Sequence, residues 1–476
     1  MGHRGSSSPR GVISTLGYCG ALVSISQSIS LPLLPILPAE LHTSASNVSW
    51  VATSAVLSAA IANPVMGRLG DMYGKRRMMI TAMTIQLIGC ILAALAPNVI
   101  TLVAARALQG IGVAVLPIGM SLAKDLLPPD KAARGVAMVS ATLGIGGGIG
   151  LPMAGLVVGW LNWQSVFWVT AALTVIGLAA TVRLLPADTT RTPQPFDAIG
   201  ACWLSACLVV ILLPLSKTSA WGVLRPLPVA LYVAGFAGLV GWYRYEQHPV
   251  RPLVDVALMR RRPMVLVNCA GLLLGFAMFS NLYASLNLLQ TPKAVPHGFG
   301  LSVVSASLVL APSAVAMMVT SPLSARITER HGARTSLWLG SVIIGVGYAT
   351  FPLMLGSIVT IGLSVAFVNA GVGIAYGAMP SAIMAFVPSS ETASANSIGT
   401  LSRATGASVS GAAVGAIFGS MTVVAAGKSV PTISAFRLVF VIAAAASFAA
   451  ATIAQRLPRV AVGHDANQLV ATLPST

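Results

Sequence analysis

Three stretches of this chain contain no Asp, Glu, Lys or Arg: Gly11 to Ala39, Gly135 to Val182 and Thr335 to Ser390. About 20 apolar residues cross a bilayer as a helix, so the first run holds one crossing and the other two hold hairpins of two. A backbone inside hydrocarbon must satisfy its own hydrogen bonds, and these runs lack the short alternation of barrel strands, which leaves helices. The rest of the chain agrees: 56% of its 476 residues are hydrophobic and 8% are charged. A soluble domain carries roughly 25% charged residues, so a water-facing globule is excluded.

Hydrophobic runs and their breaks place fourteen crossings: 12–37, 46–67, 78–97, 99–122, 135–158, 163–184, 198–216, 227–244, 264–290, 300–324, 336–355, 358–386, 401–424 and 434–455. The first run is too long for a cleaved signal core and has no clear small-residue cleavage site, so it is read as a membrane helix. With a cytoplasmic N-terminus, the inner loops hold Lys75, Arg76, Arg77, Lys124, Lys131, Arg134, Arg191, Arg251, Arg260, Arg261, Arg262, Arg326, Arg330 and Arg334. The other side holds Lys217, Arg225, Lys293, Lys428 and Arg437. That imbalance puts both termini in the cytoplasm of a cell-membrane protein, and it explains most of the +17 net charge. Basic loops facing anionic headgroups need no nucleic acid. Cys19, Cys90, Cys202, Cys207 and Cys269 all fall in apolar runs and read as small buried hydrophobes, not as a disulfide or metal framework.

A repeat divides the chain. NPVMGRLGDMYGKR from Asn63 and SPLSARITERHGAR from Ser321 share Pro64/Pro322, Arg68/Arg326, Asp71/Glu329, Gly74/Gly332 and Arg76/Arg334 in register. Both follow the second crossing of a six-crossing set. The expected architecture is therefore a cytoplasmic N-terminus (1–11), a six-helix half (12–184), a linker with two inserted helices (185–262), a second six-helix half of the same orientation (263–456) and a cytoplasmic tail (457–476). Parallel halves place a substrate site between them near mid-membrane.

GRLGDMYGKRR (67–77) resembles the loop between helices 2 and 3 of major facilitator superfamily transporters, approximately G-x-x-x-D-x-x-G-R/K-R/K. ARALQGIG (105–112) resembles the family's helix-4 motif, with Arg106, Gln109, Gly110 and Gly112 in place. Fourteen crossings resemble the drug:proton antiporter branch, which carries two extra central helices. The resemblance implies the major facilitator fold and a secondary transporter, not an enzyme, that exports hydrophobic or amphipathic small molecules by alternating access. It implies proton antiport, no cofactor and a chain acting as a monomer in the lipid bilayer.

Each motif also has a plainer reading. Arg68, Asp71, Gly74 and Arg76, with Arg326, Glu329 and Arg334, form a candidate cytoplasmic latch between the halves. Asp71 can sit at a helix N-terminus or pair with Arg68 or Arg76. The alternative, a solvated basic loop, accounts for Lys75 and Arg77. Arg106 lies inside helix 4, where an unpaired charge costs at least about 2.5 kcal/mol, so it needs a polar partner or cavity, with snorkelling as the alternative. With Asp71 it is a proton-coupling candidate. Helix 5 keeps Gly147, Gly148, Pro152 and Gly155 for close packing, but Leu151 and Leu156 stand where the family's antiporters usually show glycine.

Helix 1 departs most. Members of the branch commonly carry an Asp there, and the comparable position is Ser26, followed by Gln27. Every acid of the chain falls at a helix end, in a loop or in the tail, and no His lies deep in a crossing. Coupling then uses a membrane-edge acid such as Asp71, or the chain is an uncoupled facilitator or lipid or metabolite exporter. A non-transporting receptor or scaffold is the rival from another class. Candidates for the substrate cavity are Gln27, Ser30, Asn268, Asn281, Tyr283, Asn287, Gln290, Asn369, Tyr376, Asn396 and Arg403, with Gln27 and Asn281 facing each other across the path. For each, an interhelical hydrogen bond worth about 0.6 kcal/mol is the alternative. As a set they suit neutral or lipid-like compounds better than strong cations. AAGKSV (425–430) lacks the first glycine of a nucleotide loop, so energy comes from gradients.

Overall fold

In a computed structural model the chain is helical nearly throughout. The structure describes residues 9–30, 33, 36–43, 45–186, 196–216, 225–247, 256–388, 391–425 and 428–458. The first half contains α1 (Pro9–Ser28), the short α2 (Leu37–Glu40), α3 (Ala45–Tyr73), α4 (Lys75–Ala94), α5 (Val99–Ile111), α6 (Val115–Leu126), α7 (Pro129–Trp160) and α8 (Trp163–Leu184). A 3₁₀ turn, Gly112–Ala114, joins α5 and α6 into one run. The inserted pair is α9 (Ala198–Ser216) and α10 (Pro226–Glu246). The short α11 (Val256–Arg260) ends the linker, and the second half contains α12 (Arg262–Gln290), α13 (Val303–Thr350), α14 (Ile358–Met384), α15 (Thr392–Ser420) and α16 (Ile433–Gln455). Helix α13 bends at Gly332 (φ 82°, ψ 158°) into two segments.

Nine helices among the described residues are long and apolar enough to cross a membrane. Their outward faces carry large apolar side chains such as Ile100, Val233, Leu363 and Val319. In water so much exposed apolar surface would drive association; in a bilayer it is the lipid face. This is a multi-pass helical membrane protein.

The structure corrects several expected boundaries. The first helix ends at Ser28, well short of residue 37. Pro32, Pro35 and Pro38 follow, each without an N–H and each disfavouring helix at the residue before it. Residues 31–32 and 34–35 of that expected crossing lie outside the described residues. The thirteenth helix ends at Ser420, not 424. Beyond it the β-branched Thr422, Val423 and Val424 belong to β1 (Thr422–Ala425), which pairs antiparallel with β2 (Lys428–Pro431). Cys202 and Cys269 are exposed, against the expectation that all five cysteines are buried: on a membrane helix the lipid side accepts an apolar thiol as readily as the core does.

Packing within each half uses small residues. Gly146 of α7 sits against the backbone of Ser24 in α1, and Gly406 of α15 against the backbone of Leu272 in α12. Added side chains at either glycine would push these helices apart. Gly147, Gly148, Pro152 and Gly155 lie on the same α7, and their surroundings are outside what the structure describes.

Candidate functional site

Five helices that begin at the end of the bundle away from Lys75 carry side-chain caps: Asn98, Asn162, Ser302, Ser357 and Thr432 each accept an N–H from the first turn. Helix α15 begins at the other, basic end, and its N-cap residue, Glu391, makes no such bond. The first amides of a helix need acceptors. The other half supplies one. Asp71, on the last turn of α3, accepts the N–H of Ser394 at 2.8 Å on one carboxylate oxygen and that of Ala393 at 3.2 Å on the other. Negative charge at a helix N-terminus is further favoured by the helix dipole. Asp71 is 4% exposed, so these bonds are shielded from water.

Lys75 completes the arrangement. Helix α3 continues through Tyr73 and α4 starts at Lys75, so residues 68–73 are helical, not a free loop. Gly74 makes the reversal with φ 112° and ψ 127°, a conformation nearly closed to residues with a Cβ. That turn points Lys75 inward, and the solvated reading of this lysine is overturned: it is 4% exposed. Its Nζ lies 3.6 Å from Asp71, 2.6 Å from Asp125 at the end of α6, and donates to Thr392 Oγ1 at 2.9 Å. Ser121 and Thr392 hydroxyls pair at 2.5 Å. One turn after Ser121, Lys124 donates to Met384 O at 3.1 Å, at the C-terminal end of α14. A carboxylate therefore holds the N-terminus of α15 while an ammonium holds the C-terminus of α14. Both come from the first half, and both match the local dipole. Deeper in, Ser140 Oγ donates to Tyr376 O and Ser321 Oγ to Ala137 O, each at 2.8 Å, and Gly67 lets α3 approach Ser397.

The remaining latch candidates divide. Arg68 lies close enough to Asp71 to add positive charge. Arg76 donates to Val182 O at 2.6 Å and Arg334 to Leu457 O at 2.9 Å, so each holds the final helix end of its own half. Glu329 and Arg326 make no hydrogen bond or ion pair among the described residues, and Arg326 is exposed.

Arg106 is fully buried, donating from Nη1 to Ser26 O at 3.1 Å and to Gln109 Oε1 at 2.5 Å. It thus reaches the position where the branch commonly carries an acid and finds a backbone carbonyl. The polar candidates do not form one set. Asn281 is buried, accepting from Ser285 Oγ at 2.9 Å, and makes no hydrogen bond to half-buried Gln27, whose Nε2 has no partner. Residue spacing gave them equivalent positions but not their rotation about the helix axis. Ser30 donates to Gln27 O, Asn287 to Tyr283 O, Asn369 to Val365 O and Asn396 to Thr392 O, all local bonds. Tyr283 is partly exposed, and Gln290 sits half-buried at the end of α12. A second group does assemble: Ser402 donates to Asn268 Oδ1, and Arg403 bonds Thr400 Oγ1 with its guanidinium 5.3 Å from the Tyr376 ring. Lys75, Lys124, Asp125, Thr392, Gln86 and Gln109 were not among the candidates. An Asp71–Lys75 spacing of four was the signal available for the first, had the helix been extended through residue 73.

The chain matches the Major Facilitator Superfamily over residues 16–411. It is 27% identical over 402 residues to the "Probable actinorhodin transporter" of Streptomyces coelicolor, covering 81% of this chain and 68% of that one. It is 26% identical over 406 residues to the "Multidrug efflux pump LfrA" of Mycolicibacterium smegmatis, covering 83% and 78%. Among solved structures, the human organic anion transporter MFSD10 (TETRAN) superposes with a TM-score of 0.68 over 94% of this chain and 100% of that one; at 12% identity the likeness concerns the fold alone. Two helical sets joined at one end through a capped helix and an embedded lysine, with this match over most of its length, identify the chain as a member of the major facilitator superfamily of membrane transporters.

Proposed function

We propose that the chain exports hydrophobic or amphipathic small molecules from the cell by alternating access, driven by protons moving inward, in the manner of the fourteen-helix drug:proton antiporters. In this reading all fourteen segments cross the cytoplasmic membrane, both termini and the basic end face the cytoplasm, and the chain works as a monomer. The segments 12–184 and 263–456 rock as units about the path between them.

The observation that carries the reading is the pair of N–H bonds from α15 to Asp71. They join the halves at the basic end through a carboxylate, a group that a proton can discharge. Ionised Asp71 holds the cytoplasmic end shut. Protonation removes the charge that favours the helix terminus, frees Lys75 from one of its two carboxylates, and lets the halves part inward. Loss of that proton to the cytoplasm restores the latch. An intact latch also argues against a scaffold that no longer transports.

An uncoupled facilitator is the second reading, favoured by Ser26 in helix 1 and by the lack of any acid beside Arg106. Proteoliposomes loaded with an imposed pH gradient separate the two. Uphill movement of a neutral fluorescent dye that collapses with a protonophore, and that Asp71→Asn reduces to simple equilibration, is the expected result. Equilibration in the wild type whatever the gradient would remove proton antiport and leave the facilitator.

A further inference from the structure

Arg106 brings a full positive charge into the first half and meets no carboxylate there. Its residue is 1% exposed, and its Nε has no hydrogen-bond partner. The helices that reach it with a bond or charge hold no acid: α1, α4 and α5 contain neither Asp nor Glu, and α3, which packs on α5 through Ser58, carries its one acid, Asp71, in its last turn. Charges are buried only when paired, because desolvation otherwise dominates. Part of the compensation is visible. Ser26 O belongs to the last turn of α1, where carbonyls lack intrahelical donors and the dipole supplies roughly half a negative charge. The other acceptor, Gln109 Oε1, is a neutral amide, so no full negative charge faces the guanidinium.

Spare donors surround the same junction. Gln86 on α4 is fully buried, and neither its Nε2 nor its Oε1 has a partner. It presses on Gly112, one helical turn before Gly89, which in turn packs on Gln109. Gln109 is the residue that accepts from Arg106, and its own Nε2 donates to Gly89 O at 3.2 Å. Ser26 Oγ is also buried and unpartnered. Arg106 Nε, Gln86 Nε2 and Ser26 Oγ, on α5, α4 and α1, are thus three unpaired donors, set against one unpaired amide acceptor, Gln86 Oε1, and no negative charge. Gln27, the next residue on α1, is half-buried with an unpartnered Nε2, and marks the approach to the site.

We propose that the Arg106–Gln86–Ser26 junction is an anion site that takes the carboxylate of an amphipathic monoanionic substrate. A carboxylate offers a fork of two acceptors to the guanidinium edge and further lone pairs to an amide and a hydroxyl. The substrate then supplies the negative charge that the sequence omits at Ser26. Access requires the last turn of α1, which ends at Ser28, to give way from α5. This deepens the export reading by fixing the charge of the cargo, and it is measured by equilibrium binding, so failure of transport and failure of the site are separable.

The test uses the purified full chain in detergent and halide-free buffer, with three probes that share one fluorophore: pyrenebutyrate, its neutral amide and a pyrenebutyl trimethylammonium. Fluorescence anisotropy should show the carboxylate binding about tenfold more tightly than the amide, a difference near 1.4 kcal/mol, and the cation binding least. Arg106→Gln should erase that preference by weakening the carboxylate about tenfold more than the amide, as expected when a charged pair is lost. Ser26→Asp, which installs an internal counter-charge, should erase it as well in a chain at least as stable to heat as the wild type. A chloride titration separates the sources of the anion. If chloride raises the unfolding midpoint of the wild type but not of Arg106→Gln, and removes the carboxylate's advantage, the site takes a free anion and the cargo assignment is overturned. Equal affinity for carboxylate and amide in the wild type, or a preference that survives both substitutions, overturns the site itself.

Discussion

Residues 63–76 and 321–334 occupy equivalent places in the two halves, and each turns on a glycine of positive φ, Gly74 at 112° and Gly332 at 82°. Each also sends an arginine to the closing helix of its half, Arg76 to Val182 O and Arg334 to Leu457 O. Past those two features they diverge. Asp71 caps a helix of the opposite half, whereas Glu329 bonds nothing among the described residues. Lys75, at the centre of two carboxylates and a threonine, has Ala333 as its counterpart. The repeat therefore separates two jobs. The turn and the arginine tie a half together and stand in both copies; the acid and the lysine tie the halves to each other through charge, which only the first copy does, while the second reaches across through the Ser321 hydroxyl to Ala137 O.

Removing the lysine should break the comparison most visibly. Lys75→Met leaves the buried carboxylate of Asp71 without the ammonium beside it, and deleting one partner of a buried pair costs up to about 3–5 kcal/mol; Asp125 is exposed and adds little to that loss. The joined arrangement should lose its place as the dominant state, seen as longer distances between spin labels placed on the two halves at the basic end. The matching change, Ala333→Met, should leave that distance distribution as it was. Equal responses would mean that the first copy holds no special latch.

Asp71→Asn comes next. A neutral amide still presents one oxygen to Ser394 N–H, but loses the charge assistance, which is worth about 1.5–3 kcal/mol for bonds to a charged group. The same distance measurement should move in the same direction by less. The double variant Asp71→Asn/Lys75→Met should fall short of the sum, since both act through one network.

How much of this could be read from residues alone depends on what each feature rests upon. Covalent sequence carries hydrophobic run length, so the helices at 163–184 and 198–216 emerge with the expected bounds. It carries backbone demands too, which is why Gly74 and Gly332 stand out as a pair. It does not carry the rotation of a helix about its axis, and that rotation decides which neighbour a side chain meets. Lys75 reads as one more basic loop residue until α3 is seen to run unbroken to Tyr73. Asn281 reads as a cavity residue until its face is seen to point at Ser285. Thr392 was silent because its role arises from a contact 317 residues away in the chain.

The shared features predict matched effects. Gly74→Ala and Gly332→Ala each force a Cβ into a region of backbone space that only glycine occupies readily, at about 1–3 kcal/mol apiece. Both should lower the thermal unfolding midpoint by similar amounts. Gly74→Ala should also lengthen the label distances, because its turn aims Lys75 into the latch, whereas Gly332→Ala should leave them unchanged. A large drop from one glycine alone would show that the turns are not equivalent.

The smallest expected effect sharpens the comparison further. Glu329→Gln removes a half-buried acid with no hydrogen bond or ion pair among the described residues, so stability should stay within about 0.5 kcal/mol of the wild type, and label distances should not change. Sequence alone gives Glu329 the standing of Asp71, since acidity, register and topological place all match. If Glu329→Gln nevertheless impairs uphill transport as Asp71→Asn does, Glu329 engages in a state other than this one, with the basic end open. The two copies would then alternate as latches through the cycle, and the asymmetry seen here would belong to one conformation and not to the chain.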